Sequence, residues 1–180
     1  KRWRETGRNF YQWMARHDPH FRNTRSLADV GLLLSQRTLT LYGAERPKNI
    51  EGRERSDYFQ GMYFALLESR TLFDFVHEEK LDAESLKKYR VLILPNTAFL
   101  GNRQCEQLRA FVRRGGSLLA TYETSLYDDW GDPRPDFGLG DVLGVKKIGE
   151  TQGPLRNSYA RVEQPEHEIL NGIGPAEILP

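Results

Sequence analysis

Several features that protein chemistry often relies on are scarce in this chain. Its 180 residues include one cysteine, Cys105, and two methionines. A single cysteine closes no internal disulfide, and no CxxC pair or Cys/His ligand spacing points to zinc or an iron–sulfur cluster, so the fold has to rest on packing. No apolar run approaches the roughly 20 residues needed to span a bilayer. The formal net charge is +1 at pH 7, which gives no electrostatic reason to expect nucleic acid or an anionic membrane as partner. Glycine pairs occur at Gly138-Leu139-Gly140 and Gly172-Ile173-Gly174, but neither follows a buried strand and opens a capped helix, so no nucleotide-binding fingerprint or cofactor is expected.

What is present is a regular alternation of apolar runs and helical patterns, with 38% hydrophobic residues, enough for one domain with a buried core. Arg4 to His17 sets Phe10, Trp13, Met14 and His17 at helical spacing, and Asp18-Pro19 is expected to end that helix. Ala28 to Leu34 reads as a strand buried on both faces. Residues 35 to 55 read as a long polar connection, of the kind that binds or covers a site. Ser56 is expected to cap a helix whose buried stripe is Tyr58, Phe59, Met62, Tyr63, Leu66 and Leu67.

Further strands are expected at Thr71–Val76, Val91–Asn96 and Ser117–Tyr122. Between them come a short capped helix over Asp82–Tyr89 and one capped by Asn102, which buries Cys105, Leu108, Phe111 and Val112 and stops at Gly115-Gly116. The tail suggests a short helix over Leu139–Val145, an edge strand over Ser158–Glu163 and a turn over His167–Gly174 with Ile169-Leu170 buried. Successive β-α units with right-handed crossovers give an α/β fold, a flavodoxin-like three-layer sandwich around a mostly parallel sheet. The division expected is a linking helix over residues 1–25 and the α/β domain over 26–180. The start at Lys1, and the stop at Pro180 after Ala176-Glu177-Ile178-Leu179, suit a piece of a longer chain.

Charge is unevenly placed. Lys1, Arg2, Arg4, Arg8, Arg16, Arg22 and Arg25 face Glu5 and Asp18 in the first 25 residues. Glu123, Asp128, Asp129, Asp132, Asp136 and Asp141 face Arg134 alone between 121 and 141, and the two patches could meet each other or a neighbouring domain. In an open parallel sheet, ligands bind beyond the carboxyl ends of the strands. The places to look are therefore Ser35-Gln36, His77-Glu78, Asn96-Thr97 and Thr121 to Trp130. A nucleophilic serine or cysteine would need a tight elbow flanked by small residues, whereas the fourth strand ends in Tyr122-Glu123-Thr124-Ser125. No catalytic residue is therefore assigned. His17 and His20 are separated by a proline, so no shared metal-binding face is expected, and His77 has no identifiable partner.

Candidate ligand-binding residues are Glu123, Tyr127, Asp128 and Trp130. Carboxylates of this loop could supply a general acid and base for glycoside hydrolysis, with Tyr127 and Trp130 stacking on sugar. The plainer reading is an acidic loop that packs its aromatic residues and caps helices or pairs with Arg134 and a neighbouring domain.

The order of segments resembles a known family. Its marks are Phe10-Tyr11-Gln12-Trp13, Thr24-Arg25-Ser26-Leu27-Ala28-Asp29-Val30-Gly31-Leu32-Leu33 and Tyr89-Arg90-Val91-Leu92-Ile93-Leu94-Pro95. They continue in Leu108 through Tyr122 and in Glu166-His167-Glu168-Ile169-Leu170-Asn171-Gly172-Ile173-Gly174. Over residues 8 to 175 the chain is similar to the trimerisation domain of family-42 β-galactosidases and related domains of bacterial glycoside hydrolases. That resemblance implies a class I glutamine-amidotransferase-like fold without its nucleophile, whose position falls near Glu123. It also implies attachment after a catalytic (β/α)8 barrel, assembly as a homo-oligomer, and loops that approach the barrel's sugar site. Thr124-Ser125-Leu126-Tyr127 departs from the small, glycine-containing turn of the family.

Three readings stay open on the residues: a non-catalytic accessory domain, an independent amidotransferase-fold hydrolase acting on carbohydrate, and a carbohydrate-binding module. The compartment, cytoplasmic or exported, is left open as well.

Overall fold

A computed structural model describes residues 2–42, 57–151, 160–162, 164, 166–172 and 178–179. The chain divides into two compact units, Lys1–Lys147 and Ile148–Pro180.

In the first unit the elements are α1 (Arg2–Phe21), β1 (Val30–Leu34), α2 (Gln36–Leu41), α3 (Asp57–Glu68) and β2 (Phe73–His77). They continue with α4 (Ala83–Leu86), β3 (Val91–Leu94), α5 (Asn102–Arg113), β4 (Ser117–Ala120) and α6 (Gly140–Leu143). The four strands form one all-parallel sheet in the order β2-β1-β3-β4. This is the doubly wound arrangement, in which the chain starts inside the sheet, turns to one edge and then crosses back to build the other.

The two faces of the sheet are filled by alternate residues of each strand. Toward α4, α5 and α6 lies the larger core, with Leu33, Val76, Leu92 and Leu94 from the strands and Leu86, Cys105, Leu108, Phe111 and Leu139 from the covering segments. Gly31 lets the layers close here: a Cβ on it would stand 2.6 Å from Leu92 Cδ2 and 2.8 Å from Val76 Cγ2. Toward α3 the core is smaller. Leu32, Ile93 and Leu66 are buried, with Phe59, Met62 and Tyr63 packed around them. Tyr58 and Leu67, expected in this stripe, are instead exposed, because one helix meets a sheet along a narrow line and those two positions fall on its shoulders.

Local signals account for most boundaries. Asp82 accepts the backbone N–H groups of Glu84 (3.1 Å) and Ser85 (3.0 Å) and so caps α4. Gly115 at φ 93° ends α5 in the left-handed conformation. The start of α5 differs from expectation: Gly101 is the N-cap, its N–H donating to Gln104 Oε1 (2.8 Å). Asn102 is the first helical residue, and its side chain accepts from Arg134 instead (2.8 Å).

The polar connection after β1 also differs, because Ser35 caps the short helix α2 there. Residues 43–56, including the expected cap Ser56, lie outside the described residues. Helix α1 runs through Pro19 rather than stopping before it. The proline falls in the last turn, where Arg22 N–H still reaches Asp18 O (3.2 Å) and the two side chains pair. His17 and His20 therefore do share a face, with ring centroids 6.3 Å apart.

Among the described residues no side chain of α1 joins a core cluster, and Phe10, Trp13 and Phe21 are exposed. No helix among the described residues is long and apolar enough to cross a membrane.

In the second unit, β5 (Ala160–Arg161) pairs antiparallel with β6 (Ile178–Leu179), and a 3₁₀ turn spans Glu168–Leu170. The expected strand thus survives as two described residues. Ile169, expected to be buried, is exposed and Leu170 is half-buried: His167 accepts the N–H of Ile169 (3.2 Å), which tightens the turn and leaves Ile169 on its outside.

Candidate functional site

The carboxyl ends of the four strands meet where the topology places a crevice, and each contributes polar side chains there. After β1, Ser35 Oγ accepts the N–H of Thr38 (3.1 Å) and donates to Glu78 Oε2 (2.6 Å). Glu78, directly after β2, also accepts the N–H of Arg37 (3.2 Å) through its other oxygen. Its backbone carbonyl takes the Gln104 amide (2.8 Å), joining the end of β2 to the start of α5.

After β3, Asn96 holds φ 45°, its N–H donating to Thr121 Oγ1 (2.9 Å) and its Oδ1 accepting the N–H of Glu123 (3.2 Å). Thr97 N–H donates to Thr124 Oγ1 (3.1 Å), whose own proton goes to Thr121 O (2.7 Å). The turns after β3 and β4 are thus bound to each other by side chains as well as by backbone bonds such as Ser125 N–H to Thr97 O (2.9 Å).

The turn after β4 is an elbow. Tyr122 stands at φ 54° and Ser125 at φ 67°, conformations that non-glycine residues hold only where the surroundings impose them. The Tyr122 ring stacks on Tyr58 of α3, centroids 5.4 Å apart and planes 14° off parallel. Glu123 follows, buried, with the Tyr42 hydroxyl donating to its Oε2. Ser125 is fully buried, and its Oγ accepts the N–H of Leu139 (3.1 Å).

None of these hydroxyls is placed to attack a substrate. Cys105 is no better placed, since burial pushes its thiol pKa up, away from the reactive thiolate. Between Ser35, Thr38, Asn96 and Thr97 lies a cavity of about 10 Å³, the room of one water molecule rather than of a substrate.

The four candidate residues from the sequence are not brought together as a pair of facing carboxylates between stacking rings. Glu123 points inward to Tyr42. Tyr127 resumes the parallel pairing of β4 with β3 opposite Phe99, its N–H donating to Ala98 O (3.1 Å) and its carbonyl accepting Leu100 N–H (3.1 Å), while its ring packs on Phe99 and Tyr42. Asp128 folds back on its own turn, accepting the N–H groups of Trp130 (2.8 Å) and Asp132 (3.0 Å). Despite an opposing contribution from desolvation, those N–H groups hold its carboxyl below the usual carboxylate range. Trp130 alone faces outward, 86% exposed.

Sequence reasoning named the position of Glu78 but not its part in tying α2 to β2. The signal was a glutamate directly after a buried strand, level with a serine after its neighbour.

The acidic loop is answered from within its own unit. Arg109 forms a two-pronged bond to Asp141 (2.8 and 2.9 Å), which lowers the Asp141 pKa and raises that of Arg109. Arg37 approaches Asp129 (4.0 Å). Arg134, expected to pair with a carboxylate, instead donates to Leu100 O (2.7 Å) and Asn102 Oδ1. No group of histidine, cysteine and carboxylate side chains among the described residues has the arrangement of a metal site.

Comparison with known proteins agrees with this architecture. Residues 28–143 match the model of the β-galactosidase trimerisation domain. No curated protein sequence matches the chain. Among solved structures, a GH42 β-galactosidase from G. stearothermophilus superposes with a TM-score of 0.62 at 19% identity, over 76% of this chain and 20% of that one. The β-galactosidase of Bacillus circulans sp. alkalophilus gives 0.61 at 18%, over 82% and 20%. That of Bifidobacterium adolescentis gives 0.53 at 22%, over 66% and 54%. At these identities the likeness is one of fold. The chain spans about half the length of the last of these relatives and about a fifth of the other two.

Proposed function

Because the chain belongs to the β-galactosidase trimerisation domain family, we propose that it is a non-catalytic accessory domain of a glycoside hydrolase, which holds copies of its parent enzyme together. In this reading residues 1–25 are a linking helix that follows a catalytic barrel, and residues 26–180 are the assembling domain. The partners are the barrel of the same chain and further copies of the protein.

The observation that carries the reading is the end of β4. The elbow that could present a nucleophile is retained at Tyr122, but it holds an aromatic ring stacked on Tyr58, and the next side chain, Glu123, turns inward to Tyr42. A general acid–base pair from this loop is disfavoured by the same geometry. Glu123 is buried and Asp128 is bound to its own backbone turn.

Two measurements test the reading. Sedimentation should give the mass of three copies, and the chain should not hydrolyse aryl β-galactosides. A strictly monomeric protein, or turnover that Glu123→Gln removes, would overturn it.

The exposure of Trp130 favours one addition, that the loop from Tyr127 to Trp130 contributes an aromatic surface to the rim of the barrel's sugar site. Replacement of Trp130 by alanine in the parent enzyme should then raise KM for oligosaccharides without changing the oligomer. An unchanged KM would remove the loop from the site.

A further inference from the structure

On the α3 face one register line crosses the whole sheet: Phe75, Leu32, Ile93 and Leu119 stand side by side on β2, β1, β3 and β4. A helix with its side chains is about 10 Å across and strands are spaced about 4.8 Å apart, so α3 covers the central two and leaves the outer two. Leu32 and Ile93 are buried, whereas Phe75 is 53% and Leu119 43% exposed.

The shoulders of α3 extend both flanks. Phe59 and Tyr63 stack on Phe75 and Tyr63 also meets Phe73, while Phe64 beside Tyr63 is 53% exposed. Tyr58 stacks on Tyr122 on the β4 side. The flanks differ in shape. The β2 side is a ridge of aromatic rings, and at the β4 edge lies a groove of about 410 Å³ that wraps the strand, from Leu119 and Tyr122 to Leu118, Ala120, Leu143 and Val145. Only Asp57 and Glu68, at its two ends, give α3 any charge.

We infer that these two flanks are the halves of one head-to-tail interface, the Phe64/Phe75 ridge of one copy seating in the Leu119/Val145 groove of the next. The inference rests on the reading that the protein assembles with itself and adds which surfaces meet. Closing three identical chains into a ring requires two different, complementary surfaces on each copy, whereas a patch that met its own image would stop at two copies. The sheet presents such a pair, at its opposite edges, one convex and one concave, both apolar. Aromatic anchors entering a pocket are also the arrangement in which interface energy concentrates.

The test uses complementation. Phe75→Glu breaks the ridge and leaves the groove intact, and Leu119→Glu does the reverse. Each variant alone should sediment as a monomer, at a concentration where the unaltered chain runs at three times the monomer mass. Mixed in equal amounts they should give a species of two chains, because the intact ridge of one meets the intact groove of the other and neither can extend further. If either substitution perturbs the near-ultraviolet circular dichroism, Phe64→Glu and Val145→Glu replace them, at side chains already 53% and 46% exposed. Variants that remain trimeric, or a mixture that stays monomeric, overturn the head-to-tail assignment. An unaltered chain that is monomeric refutes instead the assembly reading on which it rests.

Discussion

On one face of the sheet Leu33, Leu92 and Leu94 are sealed beneath α4, α5, α6 and the segments between them. On the other, strands of the same apolar character are covered by α3 alone among the described residues, and the outer strands are left half open. The strands themselves do not differ enough to explain this, since both faces of a parallel strand read as continuous apolar sequence. The difference lies in how many covering elements each face receives. One face is sealed except at β4, where the half-buried Leu118 and Ala120 border the edge groove. The other is the face a partner would complete.

Four substitutions would break or sharpen that contrast. The largest effect is expected from Leu92→Ala in the sealed layer: loss of a fully buried leucine should lower stability by about 2–5 kcal/mol, read from the urea midpoint. Gly31→Ala comes next. Its new methyl group would stand against Leu92 and Val76, and overpacking of this kind costs about 1–3 kcal/mol; a thermal melt within a degree of the parent would show that the layers can separate.

On the open face, Leu119→Ser should change the stability of the monomer by about 1 kcal/mol or less. A loss equal to that of Leu92→Ala would mean that the two faces are not different after all. The smallest effect concerns the clamp between α5 and α6. Arg109 depresses the Asp141 pKa, so the stability from this pair is present above the unfolded carboxylate value, about 3.9, and is lost as pH falls through the lower folded value. Asp141→Asn should flatten the acid limb of a stability–pH curve, with a slightly lower plateau near neutrality and convergence on the parent curve in acid.

Much of the fold was legible in the sequence because its signals are local. The runs Val91–Leu94 and Ser117–Ala120, the cap at Asp82 and the left-handed glycine at 115 each specify their element within a few residues. The misreadings arise where a non-local partner decides. Asn102 looks like a helix cap until Arg134 takes its side chain. Tyr58 and Leu67 fit a buried stripe by spacing, yet lie on the shoulders of a helix set on a wide sheet. Pro19 should stop α1, but it forfeits one bond near the end of the helix, and Arg22 carries the chain past it through its N–H to Asp18 O and its ion pair with the Asp18 side chain.

The strand-end region shows the same division. The places where polar groups would gather were readable as Ser35, Glu78, Asn96 and the stretch from Thr121, because strand order fixes where carboxyl ends meet. Their mutual bonding was not, since it joins residues 25 to 81 positions apart, as in Asn96 to Thr121 and Tyr42 to Glu123. For the same reason a loop rich in carboxylates and aromatics left a sugar site open beside the plainer reading of a packed structural loop. Asp128 and Tyr127 take the second role and Trp130 alone is left facing out.

The sequence by itself therefore determined the succession of the four strands, the longer helices between them and the parallel doubly wound sheet. Periodicity, caps and turn residues act over a few positions, and such signals survive without a partner. Only the tertiary structure decided which apolar positions are covered, where each carboxylate points and which flanks of the sheet stay open. Burial and hydrogen bonding depend on what arrives from distant parts of the chain, and no local pattern records how wide a sheet one helix has to cover.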